Sequence, residues 1–247
     1  MRNRRLGRVP SVKAMNIIDF VLLGILFVSA AFAVYRGSVA SLLGLAACGL
    51  SLLFAVLMGP RLASALAGNQ GLTGLLTTYT DAGALVGDSS LAATAVNGMS
   101  EATLEAVIKN VPLPDMLLDL LHSNLAGNAF AAIGKRTVNE YVTWTVVQAM
   151  LRAGSFVLCF LLCCLALHMV INLVDHVFYF PTLKHFELPL SAVYGLLRGL
   201  AILYVLFLLI PVIRTVIPLD LVERYIQESK LSALLSRKDL FLAVAGR

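Results

Sequence analysis

Four uninterrupted apolar runs, at residues 17–34, 39–58, 155–173 and 190–213, decide what this chain can fold into. A helix crossing a hydrocarbon core of about 30 Å needs about 20 predominantly apolar residues, and each run meets that length. Inside lipid the backbone must satisfy its own polar groups, so each run reads as a transmembrane helix. Composition agrees: 59% of the residues are hydrophobic and 13% charged, against about 45–50% and about 25% in a soluble domain. Such an excess does not fit inside one interior, which excludes a free-standing soluble enzyme, a disordered chain and a collagen-like fibre. The expected fold is an all-α membrane protein, a bundle of four transmembrane helices with an amphipathic helical insert between spans 2 and 3.

The segments between the runs order the chain into five parts. Residues 1–14 are a basic head, with Arg2, Arg4, Arg5, Arg8 and Lys13 and no acid. Met15 is a second possible start that would delete this head. Residues 15–58 are a transmembrane hairpin; its first run is too long for a signal peptide, and another span follows at once. Only Tyr35, Arg36, Gly37 and Ser38 separate the two helices, so they are expected to lie antiparallel and in contact, turned at Gly37. Pro60 is expected to end the second span, and Pro211 to kink the fourth or mark its exit.

Residues 59–140 are the insert, broken early by Gly68, Gly71, Gly74, Gly83, Gly87 and Gly98. Amphipathic periodicity predicts short helices over 100–110 and 114–122, either lying on the membrane surface or capping the bundle. Thr137-Val138-Asn139-Glu140 has the pattern of a capping box, so a helix is expected to start there, run into the third span and end near Phe180-Pro181. Spans 3 and 4 fill residues 141–217, and residues 218–247 form an amphipathic tail with a surface helix over 220–235. Lys and Arg concentrate in the head and tail, which by the positive-inside rule places both termini in the cytoplasm.

Polar groups inside a span are costly, so each asks for a partner or a purpose. Cys164, His168, Asn172 and Asp175 recur at helical spacing on one face of the third span. That face either hydrogen-bonds to neighbouring helices or lines a proton or cation path. Arg198 lies within the fourth span among Ser191, Gly195 and Gly199, which fall four apart. Small residues at that spacing let backbones approach closely, and the pattern repeats as Ser29, Ala33 and Gly37 and as Ala40, Gly44 and Cys48. Arg198 is expected to snorkel to the headgroups or to pair with Asp175.

Signals for catalysis fail. Gly87-Asp88-Ser89-Ser90 has the look of an esterase nucleophile block, but no strand pattern surrounds it and nothing completes a triad with His122. Neither a phosphate-binding Gly-x-x-x-x-Gly-Lys loop nor a His-Glu-x-x-His motif occurs. The four cysteines, Cys48, Cys159, Cys163 and Cys164, all lie in apolar runs and read as packing residues rather than as disulfide or metal ligands. No cofactor, no metal and no nucleic-acid partner is expected.

Met15-Asn16-Ile17-Ile18-Asp19 followed by Arg36-Gly37 resembles the opening of the colicin V production protein (CvpA) family. The stretch from Leu190 to Gly199, ending Leu197-Arg198-Gly199, is similar to that family's glycine-rich block before its last span. The resemblance covers residues 15–58 and about 155–235; the insert, residues 59–140, is absent from the shortest members. It implies a multi-pass protein of the bacterial inner membrane that supports toxin production or export, or cell-envelope homeostasis. Members of the family have no established enzymatic activity, so the resemblance hands over no catalytic residues. The expected partners are the lipid bilayer and other membrane proteins or a second copy of the chain, engaged by helix packing. The functional candidates are then Asn16, Asp19, Arg36, Gly37, His168, Asn172, Asp175, Ser191, Gly195, Arg198 and Gly199. The alternative is an oligomeric small channel or transporter using the polar face of span 3 and Arg198; an envelope enzyme with its residues in the insert is a third.

Overall fold

The computed structural model describes residues 17–80, 86–177 and 187–214 together with Leu242 and Val244, with backbone alone for 174–177 and 187. The described residues form eight α-helices: α1 (Ile17–Arg36), α2 (Ser38–Ala67), α3 (Gln70–Thr80), α4 (Ser89–Ala93), α5 (Glu101–Asn110), α6 (Asp115–Ala126), α7 (Val138–Val177) and α8 (Glu187–Ile213). Four of them, α1, α2, α7 and α8, are long and apolar enough to cross a membrane. Their outward faces carry exposed Phe20, Phe27, Leu53, Leu57, Leu161, Leu165, Met169, Leu197 and Leu206. Water would not tolerate that coat; hydrocarbon does.

Helix α2 is the spine. Ser41, Gly44, Cys48, Ser51, Ala55, Gly59 and Ala63 are all buried and recur every three or four residues, giving one face with almost no side chain. Against it lies α7, running the opposite way: Gly44 neighbours His168 and Gly59 sits on the backbone of Phe156. Helix α8 runs parallel to α2 and packs beside it, and α1 runs antiparallel to α8 through Leu22, Leu203 and Phe207. The first hairpin therefore differs from the expected close pair. Gly37 makes the turn with φ +86°, a conformation that suits glycine, and beside it the Ser41 hydroxyl donates to the Ala33 carbonyl at 2.7 Å. Beyond that, α1 packs chiefly on α8 and α2 chiefly on α7, because the small-residue faces of α1 and α2 each meet a better complement than one another.

Two further expectations are corrected. Pro60 does not end the second span: α2 continues through it to Ala67, because neighbouring packing in a membrane helix holds a turn that has lost one hydrogen bond. The glycine-rich stretch after it is not a plain break, since it contains α3 and α4. Pro211 likewise lies inside α8, two residues before its end. The expected surface helix over 220–235 and the expected end of α7 near Phe180-Pro181 lie outside the described residues.

At 40 residues, α7 is about 60 Å long, twice the thickness of the hydrocarbon. Its start is fixed by the capping box: Glu140 accepts from the N–H of Arg136 at 2.7 Å and of Thr137 at 3.2 Å, while Thr137 Oγ1 accepts from the Glu140 N–H. The N-terminal half of α7 is then sheathed by α6, with α3 and α4 also against it and α5 packed on α6. Val107, Leu117 and Leu121 from the short helices and Val138, Val142 and Val146 from α7 are fully buried together. Asn124 donates to Thr145 at 3.0 Å, and the Phe130 ring stacks tilted on Tyr141 at 5.1 Å. The amphipathic helices thus cap the bundle rather than lie apart from it. Because successive spans alternate in direction, with α1 and α7 running one way and α2 and α8 the other, this cap stands at the same end of the bundle as Ile17 and Ile213.

Leu121→Ala should cost the cap about 2–5 kcal/mol through lost burial and the cavity left behind. Limited proteolysis in membranes should then cut within residues 97–130 well before the spans, whereas the parent cap should resist.

Candidate functional site

A cluster of polar side chains from all four spans lies at the opposite end of the bundle, beside the Gly37 turn. From α7, Cys164, His168 and Asn172 rise one turn apart. His168 Nδ1 lies 2.9 Å from the Cys164 carbonyl, and its Nε2 points to Gly44 on α2, 4.0 Å from where a Cβ would stand. From α8, Arg198 Nη1 reaches the same spot, 3.2 Å from that position. From α1, Phe32 offers its ring to two cations: the Arg36 guanidinium at 5.5 Å and that of Arg198 at 5.6 Å from the ring centre. Arg36 also donates to the Asn172 side-chain oxygen, linking the turn to the end of α7.

Each placement follows from the helix carrying it. Gly44 is six residues into α2, about 9 Å below its start, and its bare backbone lets the guanidinium come close, 3.2 Å from where a Cβ would stand. Arg36 sits one helical turn after Phe32, the spacing that puts side chains on one face. Both Arg-Gly pairs divide their labour in the same way. Arg36 and Arg198 enter the cluster, while Gly37 turns the chain and Gly199 lets α8 settle on Ser29 and Leu26 of α1.

The α8 stripe faces α1. A Cβ at Gly195 would meet Ala33 Cβ at 2.5 Å, the Ser29 carbonyl at 2.7 Å and Ala30 Cα at 2.8 Å; two of these are backbone atoms that cannot swing aside. The Ser29 hydroxyl donates to the Gly195 carbonyl at 2.8 Å, and Ser191 is buried one turn earlier. On α2, Gly44 and Cys48 are buried but Ala40 is only half-buried; the buried line runs instead through Ser38 and Ser41.

Asp19 is buried in the first turn of α1, where a carboxylate is favoured by the helix dipole. It is remote along α1 from the cluster at Phe32 and Arg36. Asn16 and the side chain of Asp175 lie outside the described residues, so the expected Arg198–Asp175 pair does too. Arg198 is half-buried over Phe32. Residues missed by sequence reasoning are Phe32, whose spacing to Arg36 was a usable signal, and the role of Gly44, which no local pattern singles out.

Among the described residues the cluster brings two guanidinium groups together without a carboxylate. Arg198 feels the like charge of Arg36. A cation over an aromatic face gains about 0.5–2 kcal/mol, less than the several kcal/mol of withdrawing a charge from water. Elsewhere, Asp88 of the would-be nucleophile block serves as the N-cap of α4. It accepts from the Ser90 hydroxyl at 2.7 Å and the Ser90 N–H at 2.9 Å, which holds its carboxyl below the usual carboxylate range. Among the described residues, no group of three or more His, Cys, Asp or Glu is placed to hold a metal ion.

Residues 117–239 match the family described as colicin V production protein. The chain is a CvpA-family multi-pass membrane protein. Its CvpA domain takes in α6, α7 and α8, and so includes His168, Asn172, Asp175, Ser191, Gly195, Arg198 and Gly199. The match differs in extent from the resemblance read in the sequence. It leaves out residues 15–58, with Asn16, Asp19, Arg36 and Gly37, and it begins inside the insert, so residues 117–140 belong to the CvpA domain. No curated protein and no solved structure matches the chain.

If α1 and α8 are joined by side-chain-free contact, Gly195→Leu should destabilise the purified protein severely. Gly24→Leu, where a Cβ meets nothing within 4 Å, should be near neutral. Thermal unfolding in nanodiscs checks this: the first variant should aggregate or melt many degrees lower, and the second should match the parent.

Proposed function

We propose that this protein is a non-enzymatic scaffold of the bacterial inner membrane. It supports production or export of a colicin V-type toxin, or envelope homeostasis, by packing against other membrane proteins or a second copy of itself. The observation that carries this reading is the division of the bundle into a tightly zipped interior and a broad apolar exterior. The cluster of Arg36, His168, Asn172 and Arg198 lies at the end near Gly37; deeper in, Ala55, Phe156 and Phe160 are buried beside the hydroxyls of Ser51 and Ser155 and close the space between α2 and α7. A continuous polar path through one copy of the bundle, which the channel alternative wants, has no support there. The small-residue faces are spent inside the chain, so partner contacts fall to the exposed leucines of the spans and to the cap.

Orientation belongs to the same reading. Among the described residues the cap end carries Arg61, Lys109, Lys135, Arg136, Arg152 and Arg214, against Arg36 and Arg198 at the other. The positive-inside rule then puts both termini and the cap in the cytoplasm.

A strain lacking the gene should release less colicin V-type toxin or become more sensitive to detergent. Wild-type protein should restore it, Gly24→Leu should restore it, and Gly195→Leu should not. In proteoliposomes, ion and proton flux should equal the empty-vesicle background; flux that falls on Arg198→Ala would favour the channel instead.

A further inference from the structure

Arg36, Arg198 and His168 converge on one small volume at the Gly37 end of the bundle. Arg36 places one donor on Asn172, and Arg198 places none on an acceptor among the described residues. A guanidinium has five N–H donors in a planar fork, so most of the hydrogen-bonding capacity here is unspent. Arg198 Nη1 and His168 Nε2 both arrive beside Gly44, where no side chain stands between them and the α2 backbone. Two like charges around the single ring of Phe32 repel one another, and an oxyanion between them relieves both. Several donors meeting around one point match a phosphate, whose oxygens take more than one guanidinium fork at once.

The setting points to the carrier. Phe32 is itself half-exposed, and Met169 and Leu173, on either side of Asn172 along α7, are 66% and 69% exposed. These apolar walls begin where the polar cluster ends, as headgroup gives way to acyl chain at a membrane surface. We propose that Arg36, Arg198, His168 and Asn172 form a binding site for a phosphate group at the membrane boundary, presented by an anionic lipid. The site is separate from the helix-packing role, which Gly195→Leu tests by itself.

The test uses purified full-length protein in neutral detergent, with lipid retention followed by native mass spectrometry. The probes are phosphatidylglycerol, the diacylglycerol with the same chains, and inorganic phosphate. Phosphatidylglycerol should be held about tenfold or more tightly than diacylglycerol. Arg36→Gln and Arg198→Gln should each weaken it by about tenfold or more, as loss of a charge-assisted fork implies. Gly44→Val should weaken it similarly without altering any charge, and Arg61→Gln at the far end should leave it unchanged. Arg36→Gln, at the turn, carries the test if Arg198→Gln fails to fold. Displacement of the lipid by millimolar inorganic phosphate would support the site with a free anion as its ligand; resistance to displacement would support the lipid. Equal retention of phosphatidylglycerol and diacylglycerol without phosphate binding would overturn the proposal. So would unchanged retention in folded Arg36→Gln.

Discussion

Contact between helices that present almost no side chain is the constraint on which the rest of this structure depends. In lipid there is no hydrophobic gain from bringing apolar helices together, so association rests on close packing and interhelical hydrogen bonds. The chain meets that need twice. Along α2, a line from Ser41 to Ala63 receives α7 and α8. Along α8, Gly195 and Gly199 receive α1, and the Ser29 hydroxyl bonds across to the Gly195 carbonyl. These two seams set the pairing of all four spans, and with it the opening of the first hairpin.

The seams also place the polar end. Because Gly44 belongs to the α2 line, the space beside it is open to Arg198 from α8 and His168 from α7. Because α1 is pinned to α8, Phe32 comes under Arg198 and brings Arg36 with it. Packing and electrostatics are therefore one arrangement. At the other end the long α7 leaves the membrane and becomes the core of a cap whose short helices supply leucine and valine. A single helix thus ties a lipid-facing bundle to a folded aqueous layer, and the CvpA-family match starts within that cap at residue 117.

Much of this was legible in the sequence, and for definite reasons. Span number and position follow from run length, and the start of α7 from the reciprocal Thr137–Glu140 signature, which the structure forms. The cap helices α5 and α6 follow from leucine periodicity. What could not be read is which helix meets which. Spacing identifies a small-residue face but does not name its partner, so the short loop at Gly37 suggested α1 against α2 where α8 is the closer neighbour. Pro60 was read as a stop because its lost hydrogen bond counts for more in an isolated helix than in one held by neighbours. The meeting of Arg36 with Asn172, 136 residues apart, has no local signature at all.

Cysteine crosslinking in native membranes, on a background free of Cys48, Cys159, Cys163 and Cys164, tests the pairing of the spans most directly. Cysteines placed at Leu22 in α1 and Leu203 in α8 should crosslink rapidly, while Leu22 paired with residues at the middle or far end of α2 should not. Efficient crosslinking of α1 along the length of α2, with none to α8, would contradict this account.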